Sequence, residues 1–559
     1  MKKQILLILT LMILLTPTLS SQIPKKTGKP NVKINIKPYS TIYEGDIINC
    51  TIEGKVSNKY WLIDNQSKHT KFQNNSPLIY DPEPTPLNKT YVNLTIYAEN
   101  QHGYDSDTIP VKIKRIFFGD IHWHTIISDG DYSIDEMYQN AIKDNYLDFT
   151  GCTDHAELID GFNLQFGGVP KNDWIRTLFY KLLIHGEWKK TKDKTNEYYH
   201  PGEFTTLLGF EWTAAQWSIG GKKWTPNKWE DVSHINFYYK EVYPKAKEYN
   251  YWQKPNYDSI FKTMANENNK GHLNIGFPHH PQGKASQLSF TTNFSFLADK
   301  TRNTKERNHI LRGAEIYSRW GNAIGQKYTP KLPWSYPYPK KQFYNQTESW
   351  IENACWEWSQ KNMQNQRFVF IAGSDTHDYN RPASSLTNKS HLETHSGITA
   401  VYSVHNTRGE IWDALNNCTC YASQLLKIRA NARFDGEITY GKWINCSSPL
   451  NINITAHATF QGNDNSGKTM CPHGYKKEKL NCSISDIWIV KKDKNKGQPW
   501  CKVIKHFQPE KKVCKINFKD KNVGPNDFYW IAIKQKNDVS SSHKEHMAYL
   551  GPVYINKVR

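Results

Sequence analysis

Two histidines one residue apart, His122 and His124, follow the apolar run Ile116-Phe117-Phe118, and Asp129 comes five residues later. Alternate residues of a strand project from one face, so the two imidazoles can meet a single ion. Asp129 can add a hard oxygen just past the strand. With 21 histidines in 559 residues, a His-x-His pair arises about once by chance, so it gains meaning only from companions. Further apolar runs supply them. Residues 147–152 lead into Asp154-His155, and 204–210 lead into Glu211. His234 heads a run to Tyr239, and 272–277 precede Pro278-His279-His280-Pro281. Residues 314–318 form a sixth run, and 368–373 lead into Ser374-Asp375-Thr376-His377. One histidine beside an apolar run is more often a hydrogen-bonded structural residue. Imidazoles and carboxylates recurring at run after run point to converging ligands for zinc, manganese or iron.

Positioning such groups requires a frame. Between Arg115 and about residue 430, seven short apolar runs alternate with longer helical or loop connections, and the polar groups gather mostly at their C-terminal ends. This pattern predicts a closed α/β barrel with its chemistry at that rim. Ser133, followed by Asp135 and Glu136, predicts a capped helix in the first connection. The flanks read differently. Residues 22–114 carry period-two runs such as Val32-Lys33-Ile34-Asn35-Ile36, predicting an immunoglobulin- or cadherin-like β-sandwich. Residues 431–559 alternate again at Asn451–Ala456, Ile484–Val490 and Phe528–Lys534, predicting a second sandwich. The expected fold class is multidomain: a central distorted (β/α)7 TIM-like barrel over 115–430 between two β domains.

Residues 1–21 begin Met1-Lys2-Lys3, continue through an apolar block and end in small residues, as a secretory signal peptide does. The block is too short to span a bilayer, and no transmembrane helix is expected in the mature chain. The chain is expected to be secreted or held at the cell surface. Ten cysteines suit an oxidising compartment. Cys418, Cys420, Cys446, Cys471, Cys482, Cys501 and Cys514 crowd the C-terminal third and predict disulfide staples, since no Cys-x2-Cys spacing offers a zinc site. Cys152, inside an apolar run, reads as a buried thiol. The net charge is +19, and residues 431–559 hold 22 Lys+Arg against 11 Asp+Glu, a local excess of +11. For an exported protein this favours an anionic small-molecule or polymer substrate. It also favours contact with a cell-envelope polymer through the C-terminal domain; no specific nucleic acid is expected.

The motifs together resemble the polymerase-and-histidinol-phosphatase (PHP) superfamily, and more closely a PHP-like family carrying a domain of unknown function. The resemblance rests on Gly-Asp-Ile-His-x-His-Thr-x-x-Ser-Asp-Gly at 119–130, Thr-Asp-His-Ala-Glu at 153–157 and Gly-Phe-Glu-Trp-Thr at 209–213. His-Ile-Asn at 234–236, Pro-His-His-Pro at 278–281, Glu-Ile-Tyr-Ser at 315–318 and Gly-Ser-Asp-Thr-His at 373–377 extend it. It implies a PHP barrel with two or three divalent ions (zinc, manganese or iron). His122, His124 and Asp375 would bind the first ion, and Glu211 would bridge to the second, completed by His234 and His280. Asp129, His155 and His377 would hold the third. His279 would then lie behind the ligands or face substrate, and Arg319 and Arg381 are candidate phosphate contacts. The implied activity is hydrolysis of phosphate monoesters or diesters. Amide or other ester hydrolysis is the enzymatic alternative. An envelope-binding or adhesion protein with a structural metal is the non-catalytic one.

Overall fold

The computed structural model describes residues 28–64, 70–73, 77–144, 147–159, 186–214, 217–219, 222–224, 233–251, 253–279, 304–318, 321–322, 324, 354–356, 358–359, 367–377, 380–383, 397–424, 426–459, 482–493, 501–537 and 545–559. The expected signal peptide lies outside the described residues. The chain forms two compact units, one of Met1–Ser40, Ile47–Leu78 and Tyr91–Lys112, the other of Thr41–Asp46, Ile79–Thr90 and Ile113–Arg559.

The first unit is antiparallel β structure. Asn31–Ile34 pairs with Cys50–Glu53, and Asn58–Ile63 pairs with Thr70–Lys71 and Val92–Asn100. Strict alternation buries Val32, Ile34, Cys50 and Ile52 while their neighbours face water, which is how a half-buried strand satisfies both faces.

The second unit is mostly β as well, with few helices and several sheets. Its largest sheet runs Asn274–His279, Ser233–Tyr239, Thr205–Ala214, Phe149–Cys152, the end of Gly103–Asp120, Gly397–Ser403 and Cys420–Gln424. It continues through Glu545–Val558, Phe528–Asn537, Cys482–Lys492 and Cys501–Phe507. The expected seven-stranded parallel barrel is corrected here, because no closed barrel forms among the described residues. Only the steps from Gly119 to Phe149 and from Phe149 to Thr205 are parallel in the site half of this sheet. Thr205–Ala214, Ser233–Tyr239 and Asn274–His279 pair antiparallel. Gly313–Ser318 and Val369–Ala372 pair in parallel in a separate three-stranded sheet. Period and apolarity identify a strand buried on both faces, but they carry no sign of its direction.

The boundary expected at 430/431 falls inside the second unit, where Cys420–Gln424 pairs with Glu545–Val558. Helix Ile134–Asp144 starts as expected: Ser133 accepts from the Glu136 amide at 3.2 Å, and the Glu136 carboxylate accepts from the Ser133 amide at 3.0 Å. The expected disulfide staples are also corrected. No disulfide joins the described cysteines, and Cys471 lies outside them. Cys418 and Cys514 are buried thiols that donate to the carbonyls of Arg312 and Ala456, and burial pushes both up to about 11. These cysteines fill apolar space as small hydrophobes. Among the described residues no helix is long and apolar enough to cross a membrane.

Candidate metal centre

Strand register decides which side chains meet. His234 lies directly opposite His279 on one side and opposite Thr213 on the other. Opposed residues of an antiparallel pair share a face, and so do residues two apart along one strand. Glu211, two residues before Thr213, therefore projects from that face, and His234 Nδ1 stands 2.6 Å from Glu211 Oε1. The antiparallel direction explains why His234 heads its apolar run while Glu211 and His279 close theirs: all three sit at the same end of the sheet.

Glu211 is the hub. Its Oε2 lies 3.3 Å from His122 Nε2, 3.4 Å from His124 Nε2 and 3.3 Å from His279 Nε2, while Oε1 lies 3.2 Å from His155 Nδ1. Asp375 Oδ1 is 3.1 Å from both His122 Nε2 and His124 Nε2. Beyond them, Asp129 is 3.6 Å from His124 and His155 and 3.4 Å from His377. Four overlapping groups result, each with ligand atoms within 4.8 Å of one another: His124/Asp129/His155/His377, His122/His124/Glu211, His122/His279/Glu315 and Glu211/His234/His279. The donor set fits divalent cations. Among the described residues, His124 Nε2 is a buried nitrogen that faces two carboxylates without forming a hydrogen bond, as a ligand awaiting an ion would. The cluster is buried except on one side, where the side chains of Asp129 and His377 remain 39% and 21% exposed.

Buried carboxylates outside the cluster hold its loops. Asp120 accepts from the amides of His122 (3.1 Å), Ser374 (2.9 Å) and Ala383 (2.6 Å) and from the Ser374 hydroxyl. It thereby ties the segment carrying His122, just past the end of strand Gly103–Asp120, to the loop carrying Asp375 and His377. Asp154 accepts from the Thr125 amide and hydroxyl and the Ser128 hydroxyl, fixing the turn that presents Asp129. Asp375 itself sits at φ 55, a left-handed conformation that aspartate tolerates better than most residues, and its amide donates to the His122 carbonyl at 2.7 Å. At Gly373 the backbone approaches so closely that a Cβ would lie 2.5 Å from His122 Cβ and 2.6 Å from Glu315 Oε2.

The charges are mutually enforced. Burial opposes the ionised form of Glu211, but His155 and His279 with His122 and His124 hold it well below the usual carboxylate range. Asp375 is held low in the same way, against burial, by His122 and His377. Conversely, burial and the neighbouring His155 disfavour charge on His124, yet Asp375, Glu211 and Asp129 carry it up to about 9. His155 rises to about 10 against burial, through Glu211 and Asp129. The pocket demands positive charge, which bound cations would supply in place of protons.

The structure brings together eight of the nine sequence-predicted ligands: His122, His124, Asp129, His155, Glu211, His234, Asp375 and His377. The ninth, His280, lies outside the described residues. The position opposite His234 belongs to His279, expected from the resemblance to lie behind the ligands or to face substrate, and it joins two of the four groups. Arg319 also lies outside the described residues. Arg381 is half-buried on the loop after Asp375. Sequence reasoning gave no role to Glu315, whose Oε2 lies 2.7 Å from His122 Nδ1. Because His122 Nε2 faces Glu211 and Asp375, Glu315 takes the other ring nitrogen and orients the imidazole. Burial lifts Glu315 to about 7, with His122 pulling it back. The available signal was a lone acid in the apolar run Ala314-Glu315-Ile316-Tyr317.

Comparison with known proteins gives three findings. A family model described as "Protein of unknown function (DUF3604)" matches residues 169–323, a stretch that includes Glu211, His234, His279 and Glu315. No curated protein matches the chain. Among solved structures, the chain is similar to a two-domain protein containing a predicted PHP-like metal-dependent phosphoesterase from Bacteroides vulgatus ATCC 8482. That match has 13% identity and a TM-score of 0.32, over 78% of this chain and 96% of that one. The β-glucuronidase of Bacteroides uniformis is similar at 8% identity and TM-score 0.16, over 95% of this chain and 61% of its own. That of Parabacteroides merdae is similar at 7% and 0.15, over 92% and 63%.

Proposed function

We propose that this chain is an exported metal-dependent hydrolase acting on phosphate esters. The observation that carries the reading is the sharing of one carboxylate, Glu211, among His122, His124, His155, His234 and His279, beside a group that stays open at Asp129 and His377. A purely structural metal site closes its coordination with protein ligands, whereas a catalytic site keeps an accessible side. Bound divalent ions would supply Lewis acidity, acidifying water and neutralising phosphoryl oxygens.

The chain's own residues do the rest. Glu211 and Asp375 hold the buried ligands together, and Glu315 fixes the ring of His122 so that Nε2 faces inward. Asp129 and His377, with His155 buried behind them, present the exposed edge where an ester would enter. Burial of the imidazoles around Glu211 keeps solvent from the inner groups. Arg381, on the adjacent loop, is the candidate contact for a phosphoryl oxygen. The basic residues after 431 are proposed to hold an anionic envelope polymer, and residues 1–21 to direct export.

Metal analysis of the purified chain, joined to a panel of phosphomonoesters and phosphodiesters, tests the reading. The expected result is at least two bound ions per chain and an activity abolished by His124→Ala. Fewer than two ions, or activity that survives the substitution, would remove its basis.

A further inference from the structure

Among the described residues, strand Cys501–Phe507 ends the largest sheet and strand Val513–Asp520 ends a three-stranded one. Residues of both edges line a cleft of about 610 Å³. Five lysines line it, Lys491, Lys492, Lys502, Lys519 and Lys521, against one carboxylate, Asp520. Asp520 is already engaged: it lies 2.7 Å from Lys491 Nζ and accepts from the Tyr529 hydroxyl at 2.7 Å. Lys491 and Lys492 are buried, at 4% and 6% exposure, and Lys492 Nζ donates to the Asn526 carbonyl at 2.8 Å. Lys502, Lys519 and Lys521 are exposed. Edge strands often carry exposed lysines that block pairing with another sheet. Lys491 is engaged internally, by Asp520 and by Asp527 at 3.0 Å, and Lys502 lies 3.6 Å from Asp493. Edge protection accounts for an exposed lysine taken singly; here Lys502, Lys519 and Lys521 come from the ends of two sheets and line one cleft.

We propose that this cleft binds an acidic oligosaccharide segment, its carboxylate or sulfate groups meeting the lysines and its ring faces lying on half-buried Phe518. A volume in the range of about 300–1,000 Å³ suits a ligand of several rings better than a single inorganic ion. Lysine offers a compact point charge, apt for singly charged groups spaced along a polymer; paired guanidinium forks would favour phosphate. Among the described residues the lining contains no arginine and a single aromatic ring, whereas single-stranded nucleic acid needs a series of stacking platforms. The cleft shares no residue with the metal centre, so it stands or falls independently of the hydrolase reading.

Fluorescence anisotropy of the full chain tests it, with labelled polygalacturonate and dextran sulfate as probes and neutral dextran and single-stranded DNA as comparators. The combined variant Lys502→Gln, Lys519→Gln and Lys521→Gln is set against Lys189→Gln, Lys190→Gln and Lys245→Gln, which removes equal charge from exposed positions elsewhere. The expected result is that the cleft variant loses about tenfold or more in affinity for an acidic glycan. The remote variant changes less than about twofold, and both keep the parent's metal content. The tighter of the two glycans identifies the anionic group. Equal losses in both variants, equal binding of neutral dextran, or tighter binding of DNA than of either glycan would overturn the proposal.

Discussion

His234 and His279 stand directly opposite each other on antiparallel strands, with ring centroids 5.3 Å apart, and both face Glu211. This pairing assigns the inner group to His279. Substituting His279→Ala removes a nitrogen 3.3 Å from Glu211 Oε2 and opens a buried space beside it. The variant is expected to bind about one ion fewer per chain and to lose on the order of 10²-fold in turnover. Unchanged metal content on elemental analysis would exclude His279 as a ligand.

Gly373 lies between His122 and Glu315, where a Cβ would come within 2.6 Å of both side chains. Gly373→Ala should push the carboxylate off His122 Nδ1 while leaving every ligand atom in the chain. Losing such an orienting contact typically lowers metal affinity about 10–100-fold. Competition with a chelator measures the loss, and affinity equal to the parent's would show that the Glu315 contact does not position His122.

The site was far more legible in the sequence than the fold was. His122 and His124 announce themselves because period two and a shared ligand chemistry coincide, and Asp375-x-His377 repeats that spacing. Glu315 was missed as a partner because one acid in an apolar run looks the same whether it binds an ion, orients a histidine or simply pairs with one. The hairpin-like reversal through Ser233–Tyr239 left no local mark, since strands buried on both faces read alike in either direction. Cysteine spacing misled for a related reason. Sequence proximity of Cys418, Cys420 and Cys446 says nothing of where their thiols point, and each is buried.

Asp120 gathers three amides and a hydroxyl from two chain segments on one fully buried carboxylate. Asp120→Asn replaces one acceptor oxygen with a donor that faces other donors. Each buried group left unmatched costs about 1–3 kcal/mol, so a loss of roughly 2–4 kcal/mol is expected. Because the released loop carries Asp375, metal affinity should fall with stability. A variant that is destabilised yet binds metal as the parent does would confine Asp120 to a folding role.

His457 gives a test of pH dependence away from the metal centre. It lies opposite Arg429 in the strand pair Arg429–Phe434 and Leu450–His457, with its ring 4.7 Å from that of Tyr80. Burial, then the charges of Arg429 and Lys512, depress its pKa from 6.5 to about 4. A histidine whose folded pKa is lowered binds its proton more readily when unfolded. Its neutral form therefore contributes stability above about pH 6.5, and that contribution is lost as pH falls toward 4. The depression corresponds to about 3 kcal/mol at its fullest, reduced by partial solvent access to the ring. His457→Gln cannot take up that proton, so its thermal midpoint should fall less than the parent's between pH 7 and pH 5. Parallel falls in the two proteins over that interval would show that His457 titrates normally in the fold.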